Sequence, residues 1–429
     1  MLDIKYIREN KEKVMADLKK KKCNIDIGKL IDLDKKRREL IQVSEELKAE
    51  QNEASKKIAK LTGDEKQNSI KKMSELKEKL SVLENDLNAV QEEFDLLMLK
   101  IPNLPFDDVP EGKDEKDNVV LREVGEKPDF SLFKPKDYLA IAQNLDIIDV
   151  ERAGKVSGSR FGYLKNEAAL LEFALIQLVY SMLVPEGFKA IVPPVMIKRE
   201  MMQGMGYVDT PEDEEERYYF EKDKVYLVGT SEQSIGPIHS GEILNEKDLP
   251  IRYAAFSSCF RREAGSYGKD TKGILRVHQF DKVEMFSFCL PTDSRDEHAL
   301  FLKMEEKLMQ ALKIPYRVVQ LCMGDLSRPS ASTIDIEAWL PGQNEGKGLY
   351  REVSSTSNTT DFQSRRLNIK YRDSLGKVNF VHNINGTGFA IGRMLVAIIE
   401  NYQTSDGFVN IPDTLKPWMH GVEVIKRAS

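Results

Sequence analysis

Of 429 residues only four are cysteine. Cys23, Cys259, Cys289 and Cys322 stand far apart and form no CxxC pair, so neither a disulfide framework nor a cysteine-built zinc site is expected. The five histidines, at 239, 278, 298, 382 and 420, are scattered and make no HExxH, which leaves zinc without support. There is no Walker A loop either. Gly342 to Gly348 is glycine-rich but has the wrong spacing and lacks the Ser or Thr that would touch magnesium, and it reads as a surface turn. No apolar h-region follows Met1, and the longest apolar stretch, near Phe173 to Pro185, holds Gln177 and is expected to be too short to span a bilayer. A soluble, cytoplasmic chain with no membrane partner is therefore expected. Charge of neither sign dominates: 64 basic and 70 acidic side chains give a net charge of -6. That argues against wholesale coating by nucleic acid and leaves room for a local basic patch.

What is present begins with a helical arm. Apolar residues recur in steps of three and four from Met73 through Leu80, Leu87 and Phe94 to Ile101, a clean heptad seam stopped by Pro102 and Pro105. An earlier seam from Leu33 to Leu61 is leakier, with Arg37, Ser44 and Gln51 on it. Gly63 is placed to end one helix and Asn68 or Ser69 to cap the next, which predicts an antiparallel hairpin over about residues 27 to 100. At ~1.5 Å per residue each limb would be roughly 45 to 50 Å long and would project into solvent. Its basics cluster at 35 to 38, 56 to 57 and 71 to 72, where phosphates could be met, although a solvated coiled-coil surface would look the same.

The composition divides the chain into an N-terminal domain over 1 to 105, a proline-rich linker over 106 to 135 and a mixed domain over 136 to 429. Helical periodicity from Leu170 to Leu183 leads into a strand near Gly187 to Pro194. Further strands are expected at Lys224 to Val228, Val283 to Phe288 and Val378 to His382, giving an α+β domain with a mostly antiparallel sheet. The acidic run Glu212 to Glu216 is expected to be an exposed loop.

The most informative stretch runs from Cys259 to Glu284. Alternation would put Arg261 and Glu263 on one face of a strand and Arg276, Phe280 and Glu284 on one face of the next, joined by a loop from Gly265 to Gly273 rich in Gly and Lys. Guanidinium groups bind carboxylate or phosphate by paired hydrogen bonds, and Phe280 offers a face for a base. A salt-bridged hairpin would show the same alternation. The extended string FRREAGSYGKDTKGILRVHQFDKVEM, however, resembles the second signature motif of class II aminoacyl-tRNA synthetases, and its seryl branch in particular.

That resemblance implies roles. Arg261 would hold the amino-acid carboxylate, Glu263 the adenine amino group, Arg276 the terminal phosphate, Phe280 the adenine face and Glu284 the bound serine. Arg262 would belong to the ATP site. Gly187 to Pro194 after its helix resembles the first class II motif, which implies a homodimer. Thr230-Ser231-Glu232 resembles the branch's Thr-x-Glu, with Ser231 where Ala is common, and would sit about the serine ammonium. Glu352-Val353-Ser354-Ser355 supplies the hard oxygen ligands that magnesium prefers, and by the resemblance Glu352 and Ser355 would contact ATP and Mg2+. Asn385 to Leu395 resembles the third motif: Arg393 would lie on the adenine opposite Phe280, and Thr387 would bond the serine hydroxyl.

The fold implied is a class II antiparallel sheet with helices behind a coiled-coil arm. The activity implied is ATP-dependent formation of seryl-adenylate and transfer of the seryl group to tRNA(Ser) gripped by the arm, with Arg261, Arg276 and Glu352 carrying catalysis. An amino acid:carrier-protein ligase would share the activation site but lacks such an arm and uses zinc-ligating cysteines. A non-enzymatic coiled-coil scaffold or amino-acid sensor remains the other alternative.

Overall fold

The computed structural model describes residues 1–58, 61–264 and 272–427. They form two compact units, Met1–Pro102 and Asn103–Ser429.

In the first unit, helix α1 (Ile27–Ile58) packs along helix α2 (Gly63–Lys100). Lys29 pairs with Glu93 at 2.5 Å and Lys48 with Glu84 at 2.9 Å, so positions rise on one helix as they fall on the other, the register of an antiparallel hairpin. Leu80, Val90, Phe94 and Ile101 of the clean seam are buried, and so is Ser44 of the leaky one. The connection differs from the expected turn. Thr62 stands at the N-cap position and Gly63, at φ +62°, opens α2, so Asp64 to Ser69 are helical rather than a capped loop. Asp64 and Glu65 in the first turn favour that start, because carboxylates there face the positive end of the helix dipole. The basic run at 35 to 38 is only partly available to phosphate. Asp34, fully buried, accepts hydrogen bonds from Arg8 (2.8 Å), Arg37 (3.2 Å) and Arg38 (3.0 Å), and Arg37 also lies over the Phe94 ring, leaving Lys35 and Lys36 as the exposed members outside that cluster.

The second unit is built on an eight-stranded sheet of β1 (Val119–Val124), β2 (Lys189–Ile191), β3 (Ile251–Phe260), β4 (Gln279–Cys289), β5 (Tyr316–Gln320), β6 (Ser332–Leu340), β7 (Leu349–Thr360) and β8 (His382–Ala390), in the order β1-β5-β6-β7-β8-β4-β3-β2. Every neighbour pair is antiparallel except β2 with β3, as the mixed pattern predicted. Helices α3 (Asn166–Leu183), α4 (Ser294–Ala311) and α5 (Ile391–Asn401) bury Leu171, Leu175, Phe301, Leu308, Leu395 and Ile398 in one core with Val283, Met285 and Ile384 of the sheet.

Three expectations change here. The 106 to 135 stretch contributes β1, an edge strand whose residues are almost all exposed, so its charged and polar composition read as linker. The apolar segment is longer than Phe173 to Pro185: with Ala168 to Leu171 included, Asn166–Glu186 is long and apolar enough to cross a membrane by length and composition, and one face of it packs into the core. The acidic run is a short helix, Pro211–Glu215, because Thr210 and Asp213 close a capping box at its start.

Candidate active site

Two β-bulges set the site. Between β4 and β8, Val283 faces Phe389 but Glu284 faces Thr387, so Gly388 is the extra residue. Between β6 and β7, Ile336 faces Ser354 but Glu337 faces Glu352, so Val353 is extra. Alternation would otherwise send Glu352 and Ser355, three residues apart, to opposite faces. The bulge brings both onto the face that carries Asp335 and Glu337 of β6. Gly388 has little room for a side chain: a Cβ there would come within 3.0 Å of Val179 and 3.1 Å of the Val283 carbonyl oxygen.

Along β4, Phe280, Lys282 and Glu284 share one face and span about 13 Å. They floor two adjoining cavities. One is lined by Phe280, Arg276, Glu263, Val353, Arg393 and the backbone at Gly392. The other, of about 300 Å3, is lined by Thr230, Glu232, Glu284, Ser355, Asn385 and Arg217 among others. Arg261, Lys282, Glu352 and Thr387 line both, at the junction.

Arg261 and Glu263 lie just past the end of β3 rather than within it. The Arg261 N–H still donates to the His278 carbonyl (3.0 Å), and the left-handed φ of Glu263 (+53°) turns the chain out of the ladder. Arg261 Nε donates to the Gly229 carbonyl at 3.1 Å, and its guanidinium sits 5.3 Å from the Phe280 ring centre. Arg276 also precedes its strand, where it donates to Glu263 Oε2 at 2.7 Å and keeps a buried Nε with no partner among the described residues. The joining loop lies, through residue 271, outside the described residues.

Arg393 Nη1 meets Glu352 Oε1 at 3.0 Å and the Glu352 carbonyl at 2.9 Å. Burial works against a charge on Glu352, but Arg393 and Arg261 outweigh it and hold its carboxyl below the usual range. Asp335, across from Ser355, is pushed well up by burial and by Glu352. Among the described residues no group of three or more His, Cys, Asp or Glu is placed to hold a metal. One carboxylate and one hydroxyl on a shared face do fit a hard cation whose other ligands are phosphate and water.

At the other end, Glu284 is buried and touches Lys282 Nζ. Burial pushes its carboxyl up to about 7, with Lys282 pulling the other way. The Thr-x-Glu segment does not continue as a strand. The strand there ends at Leu227, and Glu232 opens a short helix, Glu232–Ile235. Thr230 and Glu232 nevertheless both face the cavity, whereas Ser231 turns away and donates to the Ala255 carbonyl at 3.2 Å. Three donors converge on the Glu232 carboxylate: Tyr207 Oη (2.8 Å), Gln363 Nε2 (3.0 Å) and Asn385 Nδ2 (3.1 Å). A buried carboxylate needs such partners. Arg262 and Ser354 are also turned elsewhere. Arg262 lies near the Tyr218 ring at 5.8 Å, and Ser354 Oγ donates to the Thr387 carbonyl at 2.5 Å.

Sequence reasoning missed Tyr207, Arg217, Lys282 and Asn385. Lys282 and Asn385 had a signal, since each shares strand alternation with a singled-out neighbour, Phe280 and Thr387. Tyr207 and Arg217 had none.

The chain has close relatives. Residues 1–105 match the seryl-tRNA synthetase N-terminal domain and residues 217–402 the tRNA synthetase class II core domain (G, H, P, S and T). The chain is 45% identical to the serine–tRNA ligase of Dictyoglomus turgidum over 99% of both chains, and 43% identical to that of Trichlorobacter lovleyi over 100% of both. Among solved structures it is similar to seryl-tRNA synthetase from Pyrococcus horikoshii complexed with ATP, with a TM-score of 0.90 and 38% identity over 100% of both chains. The cytoplasmic serine-tRNA ligase from Naegleria fowleri in complex with AMP gives 0.87 and 33%, covering 100% of this chain and 99% of that one. With this fold, this two-part cleft and identity of that extent from end to end, the chain belongs to the seryl-tRNA synthetase family of class II aminoacyl-tRNA synthetases.

Proposed function

We propose that the cleft carries out both steps of serine–tRNA ligation with a division of labour along β4. The reading rests on one observation: Thr230, Arg261, Glu284 and Thr387, spread over more than a hundred residues of sequence, line a single cavity that continues into the one holding Phe280 and Arg393. ATP lies with its adenine between Phe280 and Arg393 and its amino group toward Glu263. Arg276 takes the terminal phosphate. Serine lies at the far end, its ammonium toward Thr230 and Glu232 and its hydroxyl between Glu284 and Thr387. Arg261 at the junction meets both the serine carboxylate and the α-phosphate.

The carboxylate oxygen attacks the α-phosphorus, the bond to the bridging oxygen breaks, and pyrophosphate leaves. The terminal ribose hydroxyl of tRNA then attacks the seryl carbonyl and AMP departs. No protein nucleophile is needed. Holding the reactants in line and placing the Arg261 and Arg276 charges where negative charge gathers supply the rate. Glu352 and Ser355 would hold Mg2+, which neutralises phosphate charge when bound. Arg262, Val353 and Ser354 act through the backbone they shape around the nucleotide.

The coiled-coil unit over residues 1 to 105 is assigned to tRNA(Ser), with 106 to 135 leading into the catalytic region over 136 to 429. Phe173, Val184 and Val192, exposed at 65%, 48% and 76% on α3 and around β2, support a homodimer through that face. The assembly is placed in the cytoplasm. Deleting residues 35 to 95 should leave serine-dependent exchange of pyrophosphate into ATP within about threefold and reduce tRNA charging by about a hundredfold or more. Charging that survives the deletion would remove the arm from tRNA recognition, and absence of serine-dependent exchange in the intact chain would refute the ligase reading.

A further inference from the structure

Arg217 has no part in the scheme so far. It follows the short acidic helix Pro211–Glu215 and lines the amino-acid cavity beside Arg261, but not the nucleotide cavity. Its guanidinium lies 5.4 Å from the Tyr207 ring centre, and Nη1 makes one long bond, 3.3 Å, to the carbonyl of adjacent Glu216. Among the described residues its buried Nε has no hydrogen-bond partner and no ion pair forms at its guanidinium, although Glu216 and Asp213 lie near enough to favour its charge. Burial, with Arg261 nearby, lowers its pKa from the ordinary arginine value. Arg217 is half-buried, and two guanidinium groups on one cavity wall, one of them with a buried unpartnered Nε, favour an anion between them.

On the serine side such an anion would come from a ligand. Glu232 is already bound by three donors, Glu284 touches Lys282, and both belong to the cavity's acidic wall. A triphosphate would lie in the neighbouring cavity, which Arg217 does not reach.

We propose that Arg217 is a second binding group for the α-carboxylate of the amino-acid substrate, so that Arg261 is left to the α-phosphate as the anhydride forms. This deepens the ligase reading and rests on it. Charge on the carboxylate is then recognised at a point separate from the reacting phosphorus, and Arg217 acts on serine capture more than on the chemical step.

The test compares serine with L-serinamide, which keeps the ammonium and hydroxyl but carries no negative charge. Both are titrated calorimetrically and assayed by pyrophosphate exchange, serinamide as a competitor, on the intact chain and on Arg217→Met and Arg217→Lys. Arg217→Met is expected to weaken serine by about 30-fold, the scale of a lost charge-assisted hydrogen-bond pair, with serinamide and the ATP KM each within about threefold. Arg217→Lys should recover part of the loss. Equal weakening of serine and serinamide would assign Arg217 to holding Tyr207 and Glu232 instead, and undiminished serine binding would overturn the proposal outright. If Arg217→Met does not fold, the serine-to-serinamide ratio of Arg217→Lys decides. Lack of exchange by the intact chain would sink the ligase reading, while titration of serine would still decide the residue.

Discussion

Arg261→Ala should lower serine-dependent pyrophosphate exchange by a factor of about a hundred to a thousand, the scale of removing one preorganised group from developing charge. Arg261 lines both cavities, so its loss touches both reactants, and its Nε bond to Gly229 fixes where the rest of the guanidinium can reach. The fall should lie mostly in kcat, because the charge it meets grows as the α-phosphorus is attacked. Steady-state exchange over a grid of serine and ATP concentrations separates the two. A variant with normal kcat and a raised KM for one substrate alone would reduce Arg261 to a binding group.

The second large effect concerns Glu284. Glu284→Ala should lower kcat/KM for serine by about a hundredfold or more while leaving the ATP KM within about threefold, since it strips a buried hydrogen-bond partner from one substrate only. Equal loss for both would contradict the role. The same residue gives a pH test. With its carboxyl pushed up to about 7, the fold holds a proton that the unfolded chain releases near 4.5. The folded state therefore binds more protons between those values, and the stability Glu284 contributes is full below about 4.5 and lost as pH rises through about 7. Serine recognition runs the other way, because the ionised carboxylate is the better acceptor for a hydroxyl. Serine KM should fall as pH is raised from 6 to 8, and Glu284→Gln should flatten that dependence. A serine KM independent of pH in the intact chain would place the titration elsewhere.

Much of this was legible where chemistry and strand alternation agree. Phe280 and Glu284 are four residues apart on one strand, so a shared face follows from period two alone, and Thr387 could be singled out from its glycine-flanked segment. The sequence did not announce that Glu352 and Ser355 share a face, because three residues is the wrong interval for a strand and only pairing with β6 exposes the extra residue. Arg261, Glu263 and Arg276 were read as strand residues, yet they sit where β3 and β4 come apart. Ser231 followed from its motif and not from its environment, and the Ala255 carbonyl takes its hydroxyl. Tyr207 and Arg217 meet the site only through tertiary packing. In the arm, the buried Asp34 claims two of the basics that charge counting offered to nucleic acid.

The two bulges make the pocket a matter of parity. Removing Gly388 or Val353 would shorten a strand by one position, and every side chain assigned a contact with serine, phosphate or adenine would survive. Thr387 would no longer stand opposite Glu284, or Glu352 would swing to the far side of the sheet from Ser355. The substrates would find those groups facing apart, so a one-residue deletion at either point would silence the enzyme while leaving each of its contact side chains in the chain.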